Sequence, residues 1–190
     1  MSTKNKYTRT AMALHWLVAV LMIVNVALAL SVDYVSDESI RPLIDNHKSI
    51  GILVLGLFIL RLLWRIAHRP PELPASFSPF EKKGAHWAHI ALYALMLLLP
   101  LSGWLHDSAW KDAATHPMEL FHLVPWPRIA FITHIEPQFK ETLHDVFGNI
   151  HEWLGDALYI LFSLHVLGAL KHEWIDKESV LSRMLPWGKN

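Results

Sequence analysis

The chain is 190 residues long, enough for one domain, and carries no net charge, with 17 basic and 17 acidic residues. Just over half of its residues are apolar and its mean hydropathy is positive, a balance that argues against an ordinary soluble globular protein. It contains no cysteine, which excludes disulfides, iron–sulfur clusters and thioether-linked haem, whereas thirteen histidines are available as ligands.

Taken in chain order, the apolar residues fall into four uncharged runs, 10–32, 49–60, 84–106 and 157–170. The first and third are long enough to cross a hydrocarbon core of about 30 Å at about 1.5 Å per residue. The shorter two extend through sparsely charged flanks, so four spans are expected over about 10–32, 47–67, 84–106 and 151–171. Neither long run has a polar face to turn toward water. The fold expected is therefore all-α, a single integral membrane four-helix bundle over 1–190.

Before the first span stand Lys4, Lys6 and Arg9. Basic residues followed by an apolar run and Ala27-Leu28-Ala29 imitate a secretory signal, but the run is too long for that, so it is expected to be retained as the first span. Between the first two spans, 33–46 is acidic, with Asp33, Asp37, Glu38 and Asp45. After the second span, prolines 70, 71 and 74 mark an extended connector. Pro100 and Gly103 are expected to bend the third span. A long external loop, 107–150, follows; its stretch 121–127 reads equally as a segment lying in the membrane interface or as a packed loop with turn prolines. The tail after Trp174 is charged and reads as helical, ending near Pro186. Twelve basic residues (the three above, Arg61, Arg65, Arg69, Lys82, Lys83, Lys171, Lys177, Arg183 and Lys189) fall on the side of the termini. Five (Arg41, Lys48, Lys111, Arg128 and Lys140) fall on the other, so both termini are expected in the cytoplasm.

The histidines are placed by depth. His151 and His165 are fourteen residues apart, about 21 Å along a helix and within about 40° of the same face. His15 lies near the inner start of the first span, at the depth of His165. His47 opens the second span on the outer side, level with His151. Two transverse pairs follow, His15 with His165 and His47 with His151, each able to present one imidazole to either side of a haem iron. His86, His89, His106 and His144 lie at similar depths, and depth alone does not choose among them. Arg61, fourteen residues beyond His47, shares its face at the inner level, and Arg65 is one turn further. Guanidinium groups match haem propionates, and Lys48 offers a cation on the outer side; for Arg65 simple anchoring by positive charge is an equal reading, for the deeper Arg61 a weaker one.

The ordered set Leu14-His15-Trp16, His47-Lys48-Ser49-Ile50-Gly51, Arg61-Leu62-Leu63-Trp64-Arg65, Ala85-His86-Trp87-Ala88-His89, Leu99-Pro100-Leu101-Ser102-Gly103, His151-Glu152, Leu164-His165 and Leu181-Ser182-Arg183-Met184-Leu185-Pro186 resembles the bacterial cytochrome b-561 family. The resemblance implies four membrane helices in the bacterial inner membrane and two non-covalent b haems. Their iron ligands at matching positions are His15 and His165 for the inner haem and His47 and His151 for the outer; His86 and His89 match as non-ligand positions. It also implies electron exchange with quinone, and one branch resembles superoxide oxidase, passing electrons from superoxide to ubiquinone. The partners expected are membrane lipid, quinone, and superoxide or a periplasmic redox protein, with no nucleic acid. The acidic external side is a poor attractor for a superoxide anion. An electron-relay anchor subunit of a dehydrogenase or hydrogenase is the second reading. A histidine-rich metal-ion transporter is the third, disfavoured because no carboxylate lies at the midplane.

Overall fold

The computed structural model describes residues 6–187, so Lys4 and Lys189 of the charge tally lie outside the described residues. Helix α1, Arg9–Ser31, opens with the Thr8 hydroxyl accepting from the Ala11 amide and passes into a tight turn at Val32–Tyr34. Helix α2, Asp37–Ala67, begins ten residues before the apolar span does. Its added turns convert most of the acidic 33–46 segment to helix. Asp37 and Glu38 occupy the first turn, where the helix dipole favours them, and Arg41 bonds Asp45 one turn on at 3.0 Å.

Helix α3, Pro79–Ser108, starts from a reciprocal cap in which the Ser78 hydroxyl accepts from the Glu81 amide and the Glu81 carboxylate accepts from the Ser78 amide. Pro79 suits the first helical position, where no amide hydrogen is needed. Helix α4, Pro137–Leu170, has the same kind of start, with Glu136 accepting from the Phe139 amide, and it ends in a wider π-helical turn, Lys171–Ile175. The residues 137–150 expected in the external loop are thus helical. Their apolar content is too low to mark a membrane span, but helix and span need not have equal lengths.

What remains of the loop, 109–136, is structured. A tight turn at Lys111–Ala114 leads to an antiparallel hairpin of β1, Glu119–Leu120, and β2, Val124–Pro125, and then to one helical turn at Ala130–Thr133. Phe121 and His122 turn the hairpin in the left-handed region, at φ 52° and 56°. The tail is not the continuous helix expected. It leaves α4 at Lys177, φ 56°, and returns as an irregular strap with one short turn at Ser182–Met184.

Helix α1 packs along α2, α3 along α4, and α2 joins the two pairs through α3. A small core sits at that junction, where Val18, Val54, Leu55, Phe58 and Met96 are buried together. Around it the helices turn apolar side chains outward: Val20 and Ile23 on α1, Leu60, Leu63 and Ile66 on α2, Ile160, Leu164 and Leu167 on α4 are exposed. Such a surface suits hydrocarbon and not water. Four helices, Arg9–Tyr34, Asp37–Ala67, Pro79–Ser108 and Pro137–Ile175 with their helical extensions, are long and apolar enough to cross a membrane.

Candidate functional site

Helices α1 and α3 run one way and α2 and α4 the other, which brings distant histidines to matching depths. At the end capped by loop 109–136, the rings of His47 on α2 and His151 on α4 face each other with centroids 6.0 Å apart and planes at 90°. At the end holding both termini, His15 on α1 and His165 on α4 are 6.3 Å apart at 66°. A metal–imidazole bond of about 2.0 Å, with roughly 1.1 Å more to the ring centre, puts two imidazoles flanking one metal about 6 Å apart. Both spacings fit a single iron held from two sides.

Hydrogen bonding favours the same use. The His47 Nδ1 lies 3.0 Å from the Asn25 carbonyl, and the His151 Nδ1 lies 3.1 Å from the Leu99 carbonyl and 3.0 Å from the Ser102 hydroxyl. A carbonyl fixes the proton on Nδ1, which leaves the Nε2 lone pair for a ligand. The His15 Nδ1 is buried with no partner.

The other histidines divide by geometry. His89 on α3 approaches His165 to 5.6 Å, so the terminal end gathers three imidazoles, while His86 is exposed. His106 and His144 stack at 3.9 Å and 19°, too close to admit a metal between them, and each Nδ1 is bonded to the other residue's carbonyl. That pair is a helix–helix clasp.

Two glycines complete the capped end. A Cβ on Gly103 would lie 3.1 Å from the His151 ring, and one on Gly148 would lie 3.0 Å from the His106 ring. Each is the first residue of a Gly-x-x-His sequence, Gly103 to His106 in α3 and Gly148 to His151 in α4. Because the helices are antiparallel, each glycine forms the notch that receives the other helix's histidine. The repeated Gly-x-x-His was the available sequence signal for this contact.

The basic residues have definite places. Arg61 and Arg65 converge on one ring, their guanidinium carbons 5.3 and 5.5 Å from the Tyr93 centroid, with no carboxylate in salt-bridge range among the described residues. Lys48 instead forms an ion pair with Asp107 at 2.6 Å and lies 3.4 Å from Asp45. Arg128 holds the other Asp107 oxygen at 2.8 Å and donates to the Ala113 and His116 carbonyls. Asp107 and Arg128 are residues that periodicity did not single out; their partners are distant in sequence and depend on how the loop folds.

The family model described as prokaryotic cytochrome b561 matches residues 6–187. The chain is 32% identical over 186 residues to "Cytochrome b561 homolog 2" of Escherichia coli (strain K12), an alignment covering 97% of this chain and 93% of that one. It is 28% identical to "Probable superoxide oxidase CybB" of Yersinia pestis, covering 95% and 96% of the two chains. It is 26% identical to "Cytochrome b561 homolog 1" of Escherichia coli (strain K12), covering 96% and 98%.

Proposed function

Because the chain belongs to the prokaryotic cytochrome b561 family, whose members are haem-binding membrane proteins of electron transport, we propose that it holds two b haems and carries electrons across the bacterial inner membrane to quinone. His15 and His165 hold the haem at the terminal end, and His47 and His151 hold the one at the capped end. The observation that carries this is the pair of facing imidazoles, each spaced for one iron. Helix packing supports the choice of His15 over His89. Neither α1 nor α2 packs along α4, which leaves room there for a flat macrocycle, whereas α3, the helix of His89, lies directly on α4.

Haem bound at these positions supplies a reversible one-electron iron couple. The protein's part is to orient and to balance charge. His151 and His165 share one continuous helix, so the two sites keep a fixed separation. Asn25 and Leu99 set the tautomers at the capped end. Arg61, with Arg65 a turn nearer the surface, supplies guanidinium groups for propionates at the terminal end. Lys48 serves chiefly to join Asp107 and Asp45, so its charge is already compensated. With the excess of basic residues on their side, both termini lie in the cytoplasm.

The activity proposed is superoxide:ubiquinone oxidoreduction, in which two superoxide anions, one quinone and two protons give two dioxygen molecules and one quinol. The similarity to a relative named a probable superoxide oxidase supports it. A specific observation favours a second reading as an electron-relay subunit. On the capped face, three of the five basic residues, Arg41, Lys48 and Arg128, are paired with carboxylates, Lys111 and Lys140 are in no ion pair among the described residues, and Leu123, Val124 and Phe131 are exposed. Such a surface suits a protein donor better than a small anion. Rapid mixing of the purified holoprotein with superoxide separates the two. Reduction of the haem bands within the mixing transient supports the oxidase. Bands that stay oxidised under superoxide, yet reduce with dithionite, refute it and leave the relay.

A further inference from the structure

A cavity of about 480 Å³ opens at the terminal end, between the start of α1, the end of α2 and the returning tail. Arg61, Arg65, Arg69 and Arg183 line it, and among the described residues the only side-chain carboxylate on its wall is that of Glu72. Arg183 engages Glu72 through the backbone carbonyl at 2.8 Å, and none of the four arginines has a carboxylate within salt-bridge distance among the described residues. Four guanidinium groups around one cavity, Arg61 and Arg183 partly buried and Arg65 and Arg69 exposed, repel one another, and a neutral guest would not offset that repulsion. An anion would. Arg61 and Arg65 would serve the propionates of the haem proposed at this end, which leaves Arg69 and Arg183 on the cavity wall.

The depth of the cavity says where that anion comes from. Trp64 forms one wall, its Nε1 donating to the Thr8 hydroxyl at 2.9 Å, and Trp16 donates to the Met184 carbonyl on the strap at 2.8 Å. Indole rings with satisfied N–H groups mark the headgroup level of a bilayer. Tyr7 also lines the cavity, and burial raises its pKa, so its phenol stays a neutral donor. On the same turns of α2, Leu60, Leu63 and Ile66 are exposed, as expected of a helix in contact with acyl chains.

We propose that this cavity is a binding site for the phosphate headgroup of one anionic phospholipid from the leaflet on the side of the termini. Phosphate accepts bonds from arginine forks, and basic recesses between membrane helices on that side are suited to such headgroups. The inference rests on the chain spanning the membrane and, in assigning Arg61 and Arg65, on the haem proposed at the terminal end; lipid retention and the haem spectrum read the two separately.

The test uses the full-length holoprotein, carried through detergent from nanodiscs of mixed phosphatidylglycerol and phosphatidylcholine, with retained lipid counted by native mass spectrometry. About one phosphatidylglycerol per chain is expected, in roughly tenfold preference to phosphatidylcholine. Arg69→Gln combined with Arg183→Gln should lower that retention by roughly tenfold, with the haem spectrum unchanged, and the Lys variants should restore part of it. If the double variant fails to fold, Arg69→Gln alone, on the exposed connector, is expected to lower it by a smaller factor. Equal retention of the two lipids, or undiminished retention in the Gln variants, overturns the proposal. Displacement of the lipid by millimolar inorganic phosphate, with a raised melting temperature in phosphatidylcholine alone, overturns the lipid source in favour of a soluble anion.

Discussion

A histidine in this bundle is defined by what its second nitrogen meets and by what lies beneath its ring. The spacing of His15, His47, His151 and His165 along the sequence shows which residues share a depth, because helical rise and turn are nearly constant. It does not distinguish them from His89, His106 and His144, which sit at similar depths. Only the packing separates a facing pair at 6 Å from the stacked clasp of His106 and His144 at 3.9 Å. The glycine notches sharpen this point. A Cβ on Gly103 would meet the His151 ring at 3.1 Å, so any larger side chain there requires the ring to move. Gly103→Val should push that ring from its carbonyl bond and remove or shift the haem at the capped end, leaving the terminal one intact. Difference spectra of the variant should then show about half the haem absorbance lost. An unaltered spectrum would show that His151 holds no haem.

Elements are less legible than spans. An apolar run reports the length of chain that crosses hydrocarbon, and each helix continues past it for as long as caps and local ion pairs sustain it. This is why α2 and α4 begin well before their apolar stretches, at Asp37 and Pro137. Groups near the outer ends of the α2 and α3 spans seat the loop. Ser49, buried on α2, accepts from the Phe121 amide at the hairpin, Ser108 accepts from the Ile129 amide, and Asp107 joins Lys48 on α2 to Arg128 in the loop. Asp107 is 4% exposed and Arg128 8%, so the triad lies largely out of water. Asp107→Asn leaves Arg128 with no carboxylate and Lys48 with Asp45 alone, and should cost about 3 kcal/mol. A fall in melting temperature in detergent, with faster proteolysis within 109–136, would register it. A melting temperature matching the wild type would mean that the loop is seated by its apolar contacts alone.

At the scale of the whole molecule, two features were legible before any coordinates: a mostly helical architecture with four helices long and apolar enough to span, and the asymmetry of basic charge along it; the hairpin in the loop was not. Both follow from solvent, since the bilayer fixes span length and leaflet charge favours arginine and lysine on one side. The position of the strap was not legible, because it depends on long-range bonds such as Trp16 to Met184. The absence of cysteine makes the orientation easy to test. A single cysteine replacing exposed Lys177 should react with an impermeant maleimide only in inverted membrane vesicles; labelling in right-side-out vesicles would reverse the topology.

The central claim is that two cross-bundle pairs of imidazoles each hold one haem. Its most direct measurement is the ratio of haem b to polypeptide in protein expressed with ample haem, from pyridine haemochromogen absorbance and amino-acid analysis. The account predicts two haems per chain, falling to one in His165→Ala. One or none in the wild-type protein would contradict it.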